Sequence, residues 1–133
     1  MQARFIGANT NCFWALFGGG SRPLVEGGRY PMRGSRITNL GIKVGDVVLL
    51  YCSGTYPNQS FSKSVPGVGI VTNVGVEDEM EVVNYEWNPL AKTVELDHLR
   101  NTIPEISIHE PFSYRGNWLF EVSQQSLRQA LSL

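Results

Sequence analysis

The sequence predicts an α+β fold built on a twisted, mainly antiparallel β-barrel of five or six strands with a few short helices. Three observations carry that prediction. Short apolar runs follow one another through irregular connections rich in Gly and Pro. No helical pattern of about 10–15 residues separates consecutive runs, which removes the crossover helices that a doubly wound parallel sheet needs. The one clear amphipathic stretch comes at the C-terminus, after the last run. At 133 residues, residues 1–133 read as one domain, able to bury roughly two thirds of its unfolded surface.

Taken in order, Asn11 to Phe17 (Asn-Cys-Phe-Trp-Ala-Leu-Phe) is a buried first strand that stops at Gly18-Gly19-Gly20. Gly20 to Asn39 holds four arginines, two prolines and four glycines without sustained periodicity. It reads as a long irregular connection with room for one helical turn, and connections of that length tend to carry function. Gly45-Asp46 turns into Val47-Val48-Leu49-Leu50-Tyr51-Cys52, a continuous apolar strand covered on both faces. Gly54 to Pro66 mixes Ser, Gly, Pro and Asn with Tyr56 and Phe61 and predicts an exposed loop. Val68 to Val74 is a third strand, the acidic cluster Glu77 to Glu81 a solvated hairpin tip, and Val82 to Trp87 a fourth strand.

Asn88-Pro89 breaks that fourth strand, and Lys92 to Leu96 resumes extended structure. Leu96 to Arg100 makes one or two helical turns before Pro104. Trp118 to Val122 is the last strand. Ser123 then caps a terminal helix with Leu127, Ala130 and Leu131 on one face.

Composition narrows the function classes. Hydrophobic residues at 42% and charged residues at 17% are ordinary for a globular protein. No stretch approaches the ~18 apolar residues of a membrane span, and the start lacks the pattern of a secretory leader, so the expected setting is cytoplasmic, with no membrane. Cys12 and Cys52 sit in apolar runs without CxxC spacing and read as buried thiols rather than metal ligands or a disulfide framework. The net charge of −1 hides an asymmetry: residues 1–64 carry seven basic against two acidic residues, and residues 65–133 four against ten. A basic N-terminal half suits phosphate binding, and two halves of opposite sign also suit mutual attraction within the fold.

Catalytic patterns are missing from the sequence: GxSxG, HExxH, GxxxxGK[ST] and DxDxDG do not occur. Gly18-Gly19-Gly20 is followed by Ser21-Arg22-Pro23, a poor helix start for a phosphate loop. The two histidines, His98 beside Asp97 and His109 beside Glu110, read as solvent-facing or capping. The expectation is therefore a protein that is not an enzyme, with no catalytic residues, no metal and no cofactor. What remains is a binding composition of aromatic residues, glycines and arginines around loops. An extruded base is held by its π-faces between aromatic rings while its polar edge is read by backbone groups or by Asn, Ser and Thr. Trp14, Tyr51, Tyr56, Phe61, Trp87, Tyr114 and Trp118 are the candidate walls, each of which also reads as core packing. Trp87 and Trp118, inside strands, lean toward the core.

The ordered set Phe13-Trp14-Ala15-Leu16, Val44-Gly45-Asp46-Val47-Val48-Leu49-Leu50-Tyr51 with Cys52-Ser53-Gly54, and Pro66-Gly67-Val68-Gly69-Ile70-Val71 resembles the EVE branch of the PUA-like superfamily. That branch is close in fold to YTH domains and related to ASCH domains. Leu96-Asp97-His98-Leu99-Arg100 and Phe120-Glu121-Val122-Ser123 with the terminal helix fit the same pattern, so the resemblance spans Asn11 to Leu131. It implies a PUA-like barrel with a pocket for a flipped, modified base such as methylcytosine or methyladenine. Such readers serve modification-dependent restriction or RNA regulation, with a nuclease or ATPase fused or separate. Carried over onto this chain, the early tryptophan is Trp14, and the strand end with its polar followers is Tyr51, Cys52 and Ser53. The chain departs from the family in the Gly20 to Asn39 segment and in the Tyr56 to Phe61 loop, where no second cage tryptophan aligns. The expected site thus holds a DNA or RNA base between Trp14 and Tyr51, Tyr56 or Phe61, with Cys52 and Ser53 at the strand end and phosphates on Arg22, Arg29, Arg33 and Arg36. Two other readings stand beside it: an enzyme or small-molecule binder for a nucleoside-like ligand, with Asp97 or His98 as acid or base, and a protein-interaction module.

Overall fold

The computed structural model of the chain describes residues 6–7, 9–17, 21–53, 63–109 and 118–132. Among them the strands are β1 (Cys12–Phe17), β2 (Arg29–Met32), β3 (Val47–Cys52), β4 (Ser64–Glu77), β5 (Met80–Glu95) and β6 (Trp118–Val122). The helices are α1 (Ser21–Glu26), α2 (Arg36–Leu40), α3 (Leu96–Thr102), α4 (Glu105–His109) and α5 (Gln124–Leu131). All six strands share one sheet in the order β2-β5-β4-β3-β1-β6. Only β1 and β3 pair in parallel; the other neighbours are antiparallel.

The paired strands β1 and β3 are apolar throughout because both faces of the sheet are covered there. Alternate residues enter different clusters. Trp14, Leu16, Leu49 and Tyr51 pack on one face with Leu99 of α3, Ile106 of α4 and Leu127 of α5. Phe13, Phe17, Val48, Leu50 and Cys52 pack on the other with Val25 of α1, Tyr30 of β2 and Ile37 of α2. The sheet curls into a half-barrel around this second cluster. Register shifts between Val65 and Gly67 and between Val71 and Asn73 bend the long β4–β5 hairpin. The curl brings β2 beside β6 although they end opposite edges: the Tyr30 hydroxyl donates to the Trp118 carbonyl (3.0 Å) and Arg36 Nε to the Leu119 carbonyl (3.1 Å).

The Gly20 to Asn39 stretch, expected as an irregular connection, instead supplies α1, β2 and α2. Each is too short to show periodicity, and Pro31 lies inside β2, which is tolerated because β2 is an edge strand. Part of the expected 54–66 loop is strand as well, since β4 begins at Ser64. The acidic cluster does turn a hairpin, with Asp78 (φ 50) and Glu79 (φ 66) both left-handed. Glu81, however, faces inward. Its carboxylate accepts from the backbone N–H groups of Ile37 and Thr38 (both 3.1 Å) and from the Thr38 hydroxyl, and so caps α2, whose own N-cap Ser35 makes no side-chain bond. Asn88-Pro89 does not end β5. Beyond Tyr85 this strand has no described partner on the side away from β4, so a proline there disturbs little, and Leu90 to Thr93 then bulge out opposite Pro66.

The last helix starts as predicted: Ser123 Oγ accepts from the Ser126 N–H at 3.1 Å. A second cap comes from α4, where Glu105 accepts from the Ser123 N–H (2.7 Å) and the Ser126 hydroxyl (2.9 Å). Burial opposes ionisation of Glu105, but these bonds, together with those from its own N–H and from the Ser123 hydroxyl, outweigh burial and hold its pKa below the usual 4.5. A depressed carboxylate contributes stability above its unfolded pKa and loses it as pH falls through the folded value. Glu105→Gln is therefore expected to lower stability near neutral pH and to flatten the acid limb of the stability profile, read by denaturant unfolding between about pH 7 and about pH 3. Among the described residues no helix is long and apolar enough to cross a membrane.

Candidate ligand-binding end of the sheet

Because β1 and β3 run in parallel and β4 and β6 oppose them, four chain ends meet at one edge of the sheet. Phe17 pairs with Cys52, Cys52 with Ser64, and Leu16 with Trp118. Segments 18–20, 54–62 and 110–117, outside the described residues, each begin or finish at this end. They include Tyr56, Phe61 and Tyr114 of the candidate walls. A rigid sheet that gathers several connections at one end is the usual scaffold for a binding site.

Its foundation is tightly bonded. The Ser53 N–H and hydroxyl both donate to the Phe17 carbonyl (2.9 Å each), tying the ends of β1 and β3 together. Tyr30 is 1% exposed, packs edge-on against Phe17 with centroids 4.9 Å apart, and is raised in pKa by burial. Ser64 is 1% exposed, and its hydroxyl has no hydrogen-bond partner among the described residues.

Trp14 and Tyr51, the strand aromatics expected to hold the base, are core groups in this arrangement. Trp14 is fully buried, stacked on Tyr51 (centroids 4.9 Å) and on Phe120 (5.6 Å), on the face that carries α3 to α5. Trp14 and Tyr51 are thus brought together, but in contact with each other; a base between them needs about 3.5 Å on each side. Cys52 lies on the opposite face, away from both. Burial pushes its thiol up to about 12, and burial reinforced by Asp46 pushes Cys12 up to about 11, so both remain protonated and inert at neutral pH.

Trp87 is the residue that sequence reasoning placed in the core and the structure leaves half open. Its Cα lies opposite Gly69, yet its ring leans onto Gly67: Cη2 lies 2.5 Å from where a Gly67 Cβ would be. Tyr85 leans the same way over Gly69. The signal was present in the sequence as Gly67-x-Gly69 facing Tyr85-x-Trp87, glycines that clear space for cross-strand aromatics.

Of the arginines, Arg29 pairs with Glu77 (3.0 Å), Arg36 donates across the β2–β6 seam, and Arg33 is exposed with no partner among the described residues. The side chain of Arg22 lies outside the described part. Asp97 faces Arg100 at 3.7 Å, and His98 Nε2 lies 3.1 Å from the Ala130 carbonyl, beside a cleft of ≈ 460 Å³ between Leu90, Val94 and Leu131. A second, polar cleft of ≈ 380 Å³ lies at the other end of β1 and β6, around Asn9, Lys43 and Gln124. Among the described residues no three His, Cys, Asp or Glu side chains gather as a metal site would require. Comparison with protein-family models and with curated proteins gives no match for the sequence.

Proposed function

We propose that the chain is a nucleic-acid-binding reader of the EVE type within the PUA-like superfamily, receiving one extruded, modified base at the Phe17, Cys52, Ser64 and Trp118 end of the sheet. The observation that carries this reading is the convergence of those strand ends with segments bearing Tyr56, Phe61 and Tyr114. A base needs flat walls and a few fixed polar groups. Aromatic residues on the connections supply the first, and strand-end backbone groups with Ser64 supply the second. Trp14, Tyr51 and Phe120 act beneath this site as the rigid floor that fixes where the strands end.

Of Arg29, Arg33 and Arg36, Arg33 is the one left available for a phosphate, since it is exposed without a partner among the described residues while Arg29 and Arg36 already have partners. In such a role the chain is the specificity part of a modification-dependent restriction or RNA-regulatory system whose nuclease or ATPase lies elsewhere. The test is a panel of single- and double-stranded DNA and RNA oligonucleotides, each with and without one methylated cytosine or adenine, at two salt concentrations. The reading predicts preference for a methylated strand and an affinity that falls with salt by about 0.7–0.9 logarithmic units per phosphate held, for each tenfold rise in salt. Equal binding of methylated and unmethylated strands, or none of either, contradicts it.

A further inference from the structure

We infer that Trp87 is a stacking wall of the base site and that the base lies on the concave face of the curled sheet, not beneath the helices that cover Trp14. The inference rests on the reader function proposed above and adds the face and the side chain that grips the base.

The concave side is fixed by Tyr30 and Leu119, which come from strands at opposite ends of the sheet order yet share one cluster. Val83, Tyr85 and Trp87 face this side from β5. Burial falls along them toward the strand ends: Val83 is 2% exposed, Tyr85 5%, and Trp87 only partly buried. The lean of Trp87 from Gly69 onto Gly67 carries its ring the same way, because Gly67 pairs with Leu50 and the next strand pair beyond is Cys52 with Ser64.

Tyr85, by contrast, has its hydroxyl committed to the carbonyls of Leu24 (3.1 Å) and Val25 (2.7 Å) and is closed off beneath α1. The Trp87 side chain makes no hydrogen bond among the described residues, and its indole nitrogen is not among the buried polar atoms left without a partner. The side chain therefore offers a large π-face braced from behind by a glycine backbone, and a free N–H donor at its rim. A braced ring loses little freedom when a flat ligand settles on it. Tryptophan attracts electron-poor and methylated bases most strongly of the aromatic side chains.

The test compares wild type, Trp87→Phe and Trp87→Ala for binding to a single-stranded oligonucleotide carrying one methylated cytosine or adenine, and to its unmethylated counterpart. Trp87→Ala is expected to weaken the methylated complex roughly tenfold or more, and Trp87→Phe by less. The loss should be the same at both salt concentrations, because stacking releases no counterions. The fluorescence of the wild type should be quenched by the oligonucleotide, and that of Trp87→Phe, which keeps Trp14 and Trp118, should be quenched less, a readout that a purely structural residue would leave unmoved. If the alanine variant does not fold, the phenylalanine variant and the quenching decide. Methylation-selective binding by wild type with unchanged affinity and quenching in Trp87→Phe overturns the wall and leaves the reader function standing. Absence of methylation-selective binding by wild type overturns both.

Discussion

Trp14→Ala is expected to lose about 3–5 kcal/mol of folding free energy, the range for truncating a large aromatic at a site that cannot collapse. The ring is fully buried between Tyr51 and Phe120, at the centre of the contact between the sheet and α3 to α5. Its neighbours are held by strand pairing on both sides, Leu49 on β3 and Phe120 on β6, so the backbone cannot close the void. Against a total of about 5–15 kcal/mol for a domain, that loss removes much of the stability. Denaturant unfolding reads it directly as a lower midpoint at an unchanged slope. Oligonucleotide binding should decline only with the folded fraction. A Trp14→Ala protein as stable as wild type but blind to methylation would show instead that Trp14 walls the pocket.

Gly67→Ala is expected to cost about 3 kcal/mol, at the upper end for overpacking. The added Cβ would meet the Asn88 carbonyl oxygen and Trp87 Cη2, each at 2.5 Å. The ring could swing away, but the carbonyl belongs to the β5 backbone paired with β4, so relief requires opening the ladder where the hairpin bends. Gly75→Ala is the control on the same strand: its Cβ meets only Asn73 Nδ2, at 3.8 Å, and the change should be nearly neutral. Thermal melting of the two variants compares them directly. The Gly67 variant should also tilt Trp87 and weaken methylated-strand binding beyond what its stability explains.

The parts legible in the sequence are those where one physical signal dominates. Val47 to Cys52 is apolar at every position, and Ser123 stands before a clean helical face; both elements form where expected. The α1-β2-α2 segment was illegible because each element is short and held by distant groups, as when Glu81 caps α2 across 44 residues from Ile37. Pro89 misled in the same way, since whether a proline breaks a strand depends on whether its edge is paired. At the candidate site, sequence identified aromatic types but not their faces. The sequence favours Trp14 for the pocket and Trp87 for the core, whereas the curl of the sheet buries the first beneath helices and leaves the second only half-buried.

The most direct test is to follow backbone amide and indole resonances while adding a single-stranded oligonucleotide with one methylated base. The account predicts that the largest shifts fall on Phe17, Cys52, Ser53, Ser64 and Trp118 and on the Trp87 indole. Shifts concentrated instead around Asn9, Asn11 and Lys43 at the far end of the sheet, or around His98 and Leu131 at the cleft between β5 and the helices α3 and α5, would contradict it.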